Sequence, residues 1–542
     1  MTQNRVRSLS RLGCVANLLF FRIVPFLLIV AIAWTAVQVF SSQNDQSAQA
    51  SSIDARRADY AATATALSAP VEDVRRQDGF QLVQFVTNTP SGSEEEAPTE
   101  TPAAVQEVLP TPTPVDGNIQ VDLPDFFVPP NAQEGQVISG TLVPTQVPLI
   151  PRDYNLVNIL LLGGDDSLFQ DGSIRTDVMI VASLNLDTRT VSLLNLPRDL
   201  FVYVPTPTMA RLNTVYGIGE AFGWTDGGFG LLAQTIFYNL GIRVHYYARV
   251  NFDGFVDIID TLGGVDMAVD CAYQDYALID TEIPEGAYLA DEEAGLWTLP
   301  VGYYRMSGRE ALWYVRTRNS SRDEFDRGRR QQQLLRAILR ETLDSGTLQQ
   351  VPTLWDQVTQ VVDTNIPLDV MLSILPIAFE LDPARIKSYT MIRTYHTTPW
   401  QPPEGPYAGQ AVQLPNYQPI HDLLYDFYQP PTSTRLSLSQ ASIAVYNGTD
   451  KPDLDLVAVQ RLREEGFNAI AYGPSDATDY ADSVIIDQIG DEKGSLNVDI
   501  GHVLNITPEN MLIQLDPSRQ ADYRVIIGSN YNSCSANVVP VE

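Results

Sequence analysis

Six arginines fall between positions 316 and 330 of a 542-residue chain that carries only 35 Lys and Arg against 66 Asp and Glu. They are Arg316, Arg318, Arg322, Arg327, Arg329 and Arg330, followed directly by Gln331, Gln332 and Gln333. Lysine is nearly absent, standing only at Lys387, Lys451 and Lys493. A guanidinium is planar, permanently charged and able to grip two phosphate oxygens at once. Clustered in a chain of formal net charge −31, such groups point to an anionic ligand. A solvated, salt-bridged helix start is the competing reading of the charge run.

Local pattern says where these side chains face. Ser307-Gly308-Arg309-Glu310 fits a capping box opening a short helix that ends near Tyr314. Beyond it Arg316 and Arg318 alternate with Val315 and Thr317, which in an extended segment puts both guanidiniums on one face. A second helix is predicted over 326–343, where Arg327, Gln331, Leu334 and Ile338 keep helical spacing, with Arg330 and Leu335 beside them. Leu334 and Ile338 must face the core, so Arg327, Arg330 and Gln331 lie at the rim of a buried stripe. Guanidinium there requires counter-charge. Asp323, Glu324 and Asp326 supply some of it. Arg329 points elsewhere and is assigned to solvent.

An acidic half matches this basic one. Residues 155–162 read as a buried strand ending in Gly163-Gly164-Asp165-Asp166, so Asp165 stands at a strand's carboxyl end, where open α/β sheets put ligand sites. Asp177 follows in Arg175-Thr176-Asp177, at the start of the next strand. Two carboxylates so placed can share a hard divalent cation, leaving its other positions for phosphate oxygens and water, as Mg²⁺ prefers. Ordinary turn chemistry is the plainer role for such aspartates. Leu196-Pro197-Arg198-Asp199 ends a further strand, and Pro197 fixes the direction in which Arg198 leaves the sheet.

The elements that must carry these residues read as α/β. Segments 178–186 and 190–196 form a hairpin turning at Asp187-Thr188; 231–240 is helical, 246–250 a strand, and 255–262 a helix stopped by Gly263-Gly264. Alternation continues to about Pro383, and 395–429 is a Pro- and aromatic-rich finish. The result is a domain over 152–430 with a mixed central sheet and helices on both faces. After a linker at 431–440, a smaller α/β domain spans 441–531, with strands at 443–446, 467–472, 483–486 and 523–527 and a helix at 454–465. Residues 532–542 are a tail. His245 is read as a packed strand residue.

Upstream, residues 1–14 form a basic tail, and the first 22 residues hold Arg5, Arg7, Arg11 and Arg22 with no acid. From Ile23 to Phe40 the chain is uncharged, roughly 27 Å of helix. With 15–21 added, residues 15–40 are expected to span a bilayer as a helix. The basic end then stays in the cytoplasm and the rest lies outside it. A cleaved signal peptide is the alternative, with Ala48 and Ala50 as its small residues. Residues 41–151, rich in Pro, Thr and Glu, read as a disordered linker. So acidic an exported part excludes nucleic acid as a partner. Three cysteines (Cys14, Cys271 and Cys534) exclude a disulfide framework, and Cys271 and Cys534 are expected to remain unbridged.

The motifs also carry a resemblance. The stretch from Asn158 to Asp165, then Arg175-Thr176-Asp177, Leu196-Pro197-Arg198-Asp199, Arg211-Leu212-Asn213, Gly263-Gly264-Val265, Gly308 to Leu312, Arg316-Thr317-Arg318 and Arg327 to Gln331 occur in an order that resembles the LytR-CpsA-Psr family. The resemblance covers about a third of the chain, from Tyr154 to about Leu343. Residues 441–531, opening near Val-Tyr-Asn-Gly-Thr, resemble the LytR C-terminal domain that often follows. The resemblance implies an extracytoplasmic phosphotransferase that uses Mg²⁺. It would move a glycopolymer from a polyprenyl pyrophosphate carrier to the cell wall, usually peptidoglycan.

Carried over by position, Asp165 and Asp177 would be metal carboxylates, and these two with Arg198, Arg316 and Arg318 the catalytic set. Arg198, Arg316, Arg318, Arg327, Arg330 and Gln331 would hold the pyrophosphate. The family's lipid tail lies in an apolar tunnel, for which Phe252, Phe255, Ile258, Ile259 and Leu262 are candidate walls or ordinary core. Ser167, Asn195 and Glu324 depart from the residues common in the family (Arg, Ser and Asp). With water as acceptor the same site would be a polyprenyl-pyrophosphate hydrolase; a non-enzymatic lipid-carrier or wall-binding protein is the third possibility.

Overall fold

The computed structural model describes residues 134–150, 154–165, 174–206, 208–318, 323–346, 358–432, 438–490 and 496–531, with isolated positions between them. The expected tail at 1–14, membrane helix at 15–40 and most of the linker lie outside the described residues. Among those described, no helix is long and apolar enough to cross a membrane.

Strand β1 (Leu156–Asp165) is followed by β2 (Arg175–Asn185) and β3 (Thr190–Asn195), each antiparallel to the one before. Helices α1 (Val215–Phe222) and α2 (Gly227–Leu240) lead into β4 (Tyr246–Asn251), which runs parallel to β1. Next come α3 (Phe252–Thr261), the separate antiparallel pair β5 (Val265–Val269) and β6 (Gly302–Met306), then α4 (Gly308–Arg316) and α5 (Asp323–Asp344). Short β7 (Asp363–Thr364), α6 (Leu368–Glu380), β8 (Ile386–Thr390) and α7 (Tyr417–Tyr428) follow. The central sheet has the order β7-β4-β1-β2-β3-β8, with β8 parallel to β3. This is the mixed α/β architecture the sequence predicted.

Two-residue alternation decides the faces. Leu160, Leu162, Met179, Val181 and Leu194 pack with Leu231, Leu232 and Ile236 of α2 and Leu424 and Phe427 of α7. On the opposite face Ile180, Ala182, Val191 and Leu193 meet Leu335 and Leu339 of α5. Val157 and Ile159 meet Val370, Ile374 and Ile377 of α6. Helix α5 is thereby pressed onto β2 and β3, which sets how far its first turns reach along the sheet.

A second sheet follows, in the order β10-β9-β13-β11-β12. Its elements are β9 (Ser442–Asn447), α8 (Leu454–Glu464), β10 (Asn468–Pro474), β11 (Val484–Asp487), α9 (Asn497–Leu504), β12 (Met511–Ile513) and β13 (Tyr523–Ile527). Helix α8 meets α5: Arg340 donates to Gln460 Oε1 at 2.7 Å, and Arg329 Nη1 lies 4.0 Å from Glu464 Oε2.

Some expectations change. Residues 134–150, read as linker, are folded in part, since Val143 and Ile150 are buried in two different apolar clusters. Their Pro-rich surroundings masked that in the sequence. The Pro- and aromatic-rich finish contains α7, whose Ile420, Leu424 and Phe427 keep helical spacing and close one face of the sheet. Cys271, expected unbridged, is disulfide-bonded to a partner outside the described residues. Arg329, assigned to solvent, forms a two-pronged ion pair with Asp270, 2.9 Å at each nitrogen, and donates to the Tyr273 hydroxyl at 3.0 Å. Its counter-charge comes from beyond β5, where helical periodicity gives no hint of it.

His245, directly before β4, is buried as expected, its Nδ1 accepting the Asn158 backbone N–H at 2.8 Å. Burial, with Arg152 and Arg243 nearby, pushes its pKa down from 6.5 to about 3. The unfolded chain therefore binds a proton that the folded chain refuses. Stability from this group is complete above pH 6.5 and falls as pH drops toward 3, with a slope approaching about 1.4 kcal/mol per pH unit. His245→Asn keeps an acceptor near the position of Nδ1 and should flatten that slope in urea unfolding measured between pH 6.5 and about pH 5. An unchanged slope would contradict the assignment.

Candidate functional site

Strands β1 and β2 pair regularly up to Gly163 opposite Val178, then shift so that Gly164 faces Thr176 and Asp165 faces Arg175. Asp177 is the extra residue of this bulge, and bulges re-aim a side chain out of the regular pleat. A Cβ at Gly163 would stand 3.0 Å from that of Val178, so glycine permits the close approach beside the bulge. The side chain of Asp165 lies outside the described residues; its backbone ends β1 next to β4, where Gly164 pairs with Asn251.

Four segments converge on Asp177. From the end of β3, Arg198 Nη1 lies 3.3 Å from Asp177 Oδ2. From the turn before α1, Asn213 Nδ2 donates to Oδ1 at 3.0 Å. Past α4, Arg318 Nη2 lies 3.7 Å from Oδ2. From the first turns of α5, Arg327 Nη2 donates to the Asp177 backbone carbonyl at 3.2 Å. Burial alone would raise the Asp177 carboxyl, but Arg198, the Asn213 hydrogen bond, Arg327 and Arg318 together outweigh it and hold the group below the usual carboxylate range. It is ionised at neutral pH. The adjoining pocket is lined by Asp177, Asn195, Arg198, Arg327, Gln331 and Thr390 among others. Asp199, 3.5 Å from Arg198 Nε, is a second acid beside the cluster; three guanidiniums gathered at one pocket still suit an anion.

The sequence placed two arginines differently. Arg316 is the last residue of α4, not part of an extended segment with Arg318, because the Ser307–Glu310 capping box starts a helix that runs longer than expected. Its guanidinium donates to the Ile279 carbonyl at 2.8 Å and lies over the Phe252 ring, 4.4 Å from the centroid. Only Arg318 of the two turns to Asp177. Arg330 is 1% exposed and faces away from the pocket. It donates to the carbonyls of Tyr314 and Thr317, the latter at 2.6 Å, lies 3.4 Å from Asp326, and stacks over Tyr273. It therefore satisfies the orphan carbonyls at the end of α4. With the Arg318 N–H donating to Asp275 Oδ2 at 2.6 Å, this fixes the segment that presents Arg318.

Gln331 does reach the pocket. Of the proposed tunnel residues, Ile259 is fully buried and Phe255 packs beside it in the cluster containing Trp313 and Leu334. Sequence reasoning passed over Asn213, Asn195 and Gln332 as site residues. The Arg211-Leu212-Asn213 motif was visible, but nothing in its spacing told that Asn213 would reach a strand 36 residues upstream. Asn195 and Gln332 are joined by a buried hydrogen bond between sheet and helix.

The donors at Asp177 fit a hard cation in chemistry: an ionised carboxylate, and the buried Oδ1 of Asn213, which accepts no hydrogen bond among the described residues. Among the described residues no group of three His, Cys, Asp or Glu side chains converges.

Residues 134–406 match the LytR_cpsA_psr family. The chain is 30% identical over 226 residues to the polyisoprenyl-teichoic acid–peptidoglycan teichoic acid transferase TagU of Oceanobacillus iheyensis, covering 41% of this chain and 63% of that protein. It is also 30% identical over 216 residues to the regulatory protein MsrR of Staphylococcus aureus, covering 39% and 57%. It thus spans about three-fifths of the length of the curated relatives it matches. A crystal structure of B. subtilis TagV aligns with 51% of this chain and 96% of that one, at 22% identity and a TM-score of 0.39.

The two kinds of arginine should separate in denaturant unfolding. Arg330→Met leaves two buried carbonyls and Asp326 without their cation and should cost about 3–5 kcal/mol. Arg198→Met removes a partly exposed cation from a positively charged pocket and should change stability by less than about 1 kcal/mol. Equal losses would contradict the division into supporting and pocket-facing groups.

Proposed function

Because the chain belongs to the LytR_cpsA_psr family, we propose that it is a membrane-anchored extracytoplasmic phosphotransferase that moves a glycopolymer from a polyprenyl pyrophosphate carrier to the cell wall. The observation that carries this reading is the convergence of Arg198, Arg318 and Arg327 on one ionised carboxylate beside an open pocket. The teichoic acid transferase activity for which the relative TagU is named supports it. Residues 15–40 serve as the anchor, with the amino terminus cytoplasmic, and 441–531 as a LytR C-terminal-type domain; both rest on the sequence. The name of MsrR invites a regulatory reading, but a chain of net charge −31 gives DNA contact no electrostatic support.

Arg198, Arg318, Arg327 and Gln331 bind the diphosphate, with Arg316 and Arg330 behind them. Asp177 and Asp165 would hold Mg²⁺, and the Asn213 amide oxygen would be a further donor to it. When bound, the cation neutralises diphosphate charge. The acceptor hydroxyl oxygen of peptidoglycan bonds to the sugar-side phosphorus as the bridging phosphorus–oxygen bond breaks, and polyprenyl phosphate leaves with the hydroxyl proton on its departing oxygen. Fixed guanidiniums meet the charge that grows on the departing oxygen without reorganising. Asp177 also keeps Arg198 and Arg318 extended toward the ligand before it arrives.

The test combines the full chain in detergent, a lipid-pyrophosphate-linked glycan and isolated peptidoglycan. Wall-bound polymer should form, and Asp177→Ala or Arg198→Ala should cut its rate at least about a hundredfold. Release of free glycan phosphate in place of wall-bound polymer would make the protein a hydrolase. Formation of neither product would leave a binding role only, and attachment unchanged by both substitutions would place catalysis away from Asp177 and Arg198.

A further inference from the structure

A chain of side-chain amides runs behind the pocket and ends at Gln331. Its starting point is the backbone carbonyl of Tyr389 in β8, which can only accept. Gln332 Nε2 donates to it at 2.9 Å, which settles the orientation of that amide. The same Nε2 donates to Asn195 Oδ1, so Asn195 must turn its nitrogen the other way. Asn195 Nδ2 then donates to Gln331 Oε1 at 3.2 Å. All three side chains are buried, at 7% exposure for Asn195, 8% for Gln331 and 2% for Gln332. Gly328, one turn earlier in α5, lies so close that a Cβ there would stand 3.1 Å from Asn195 Cγ, so the helix backbone holds Asn195 in place.

Gln331 thus has its oxygen engaged, while its Nε2 makes no hydrogen bond to the described residues. Asn195 and Gln331 both line the pocket with Arg198 and Arg327.

We propose that Asn195 is a positioning residue that fixes the polarity of Gln331, so that the pocket meets an amide N–H₂ and never an amide oxygen. Resting on the pyrophosphate reading of the pocket, it adds a neutral donor to the arginines and rejects ligand groups that present a donor at that point. A glutamine free to turn would offer either end, and its oxygen would repel a phosphate oxygen. Asn195 occupies a register position of β3 opposite Ile180 and Thr390, so the device belongs to the sheet and does not move with the ligand.

The experiment is calorimetric titration of the full chain in detergent with inorganic pyrophosphate and Mg²⁺. Wild type is compared with Arg198→Ala, Asn195→Ala, Asn195→Ser, Gln331→Ala and the double variant Asn195→Ala/Gln331→Ala. Gln331→Ala should weaken binding about tenfold, as expected for loss of a hydrogen bond to a charged group. Asn195→Ala and the milder Asn195→Ser should each lose a substantial part of that factor. In the Gln331→Ala background, Asn195→Ala should add less than about twofold, because its effect passes through Gln331. Full additivity of the two single losses, or no loss in either Asn195 variant while Arg198→Ala weakens binding, overturns the positioning role and leaves the pocket reading intact. Unchanged binding in Arg198→Ala overturns both.

Discussion

The ionised carboxylate of Asp177 organises the site. Its carboxylate lies within 3.7 Å of both Arg198 and Arg318, its backbone carbonyl takes Arg327, and Asn213 locks its second oxygen, while Asp199 stands as a further acid beside Arg198. Like-charged guanidiniums would otherwise spread apart, and in a chain this acidic each would find a surface carboxylate nearer to hand. The bulge in β2 puts Asp177 where none of them can avoid it. The arrangement therefore gathers the arginines at one pocket, where an anion is a fitting ligand.

Helix α5 connects that site to the rest of the fold. Successive residues turn by about 100°, and each direction has its own task. Arg327 and Gln331, one turn apart, face the pocket. Arg330 closes the end of α4, Arg329 pairs with Asp270, and Gln332 reaches Asn195 on the sheet. Leu335 and Leu339 bury against β2 and β3, while Arg340 meets α8 of the second sheet. A helix fixed on so many sides holds its pocket residues to a narrow range of positions, which is the preorganisation that electrostatic catalysis requires.

Most of the scaffold was legible in the sequence because its signals are local. The hairpin of β2 and β3, the capping box of α4 and the periodicity of α5 all follow from patterns a few residues long. The same locality explains the errors. Helical spacing put Arg327, Arg330 and Gln331 on one rim, but Arg330 turns inward because the carbonyls ending α4 and the Tyr273 ring lie there, and neither is written on its own helix. Arg329 found Asp270, 59 residues upstream, in a place that periodicity described as solvent. Arg316 and Arg318 parted because α4 runs two residues past Tyr314, so that Arg316 ends the helix and Arg318 lies beyond it. Asn213 and Asn195 were seen in the sequence but given no role in the site, because a neutral amide carries no charge pattern; their importance is one of contact, and contact exists only in the fold.

The most direct test is a crystal structure with a short-chain polyprenyl pyrophosphate and Mg²⁺. The account predicts diphosphate density between Asp177 and Arg318, with Arg198 and Arg327 turned onto its oxygens and Gln331 Nε2 at hydrogen-bond distance. Diphosphate bound elsewhere, with Arg198 and Arg318 still resting on the Asp177 carboxylate, would contradict it.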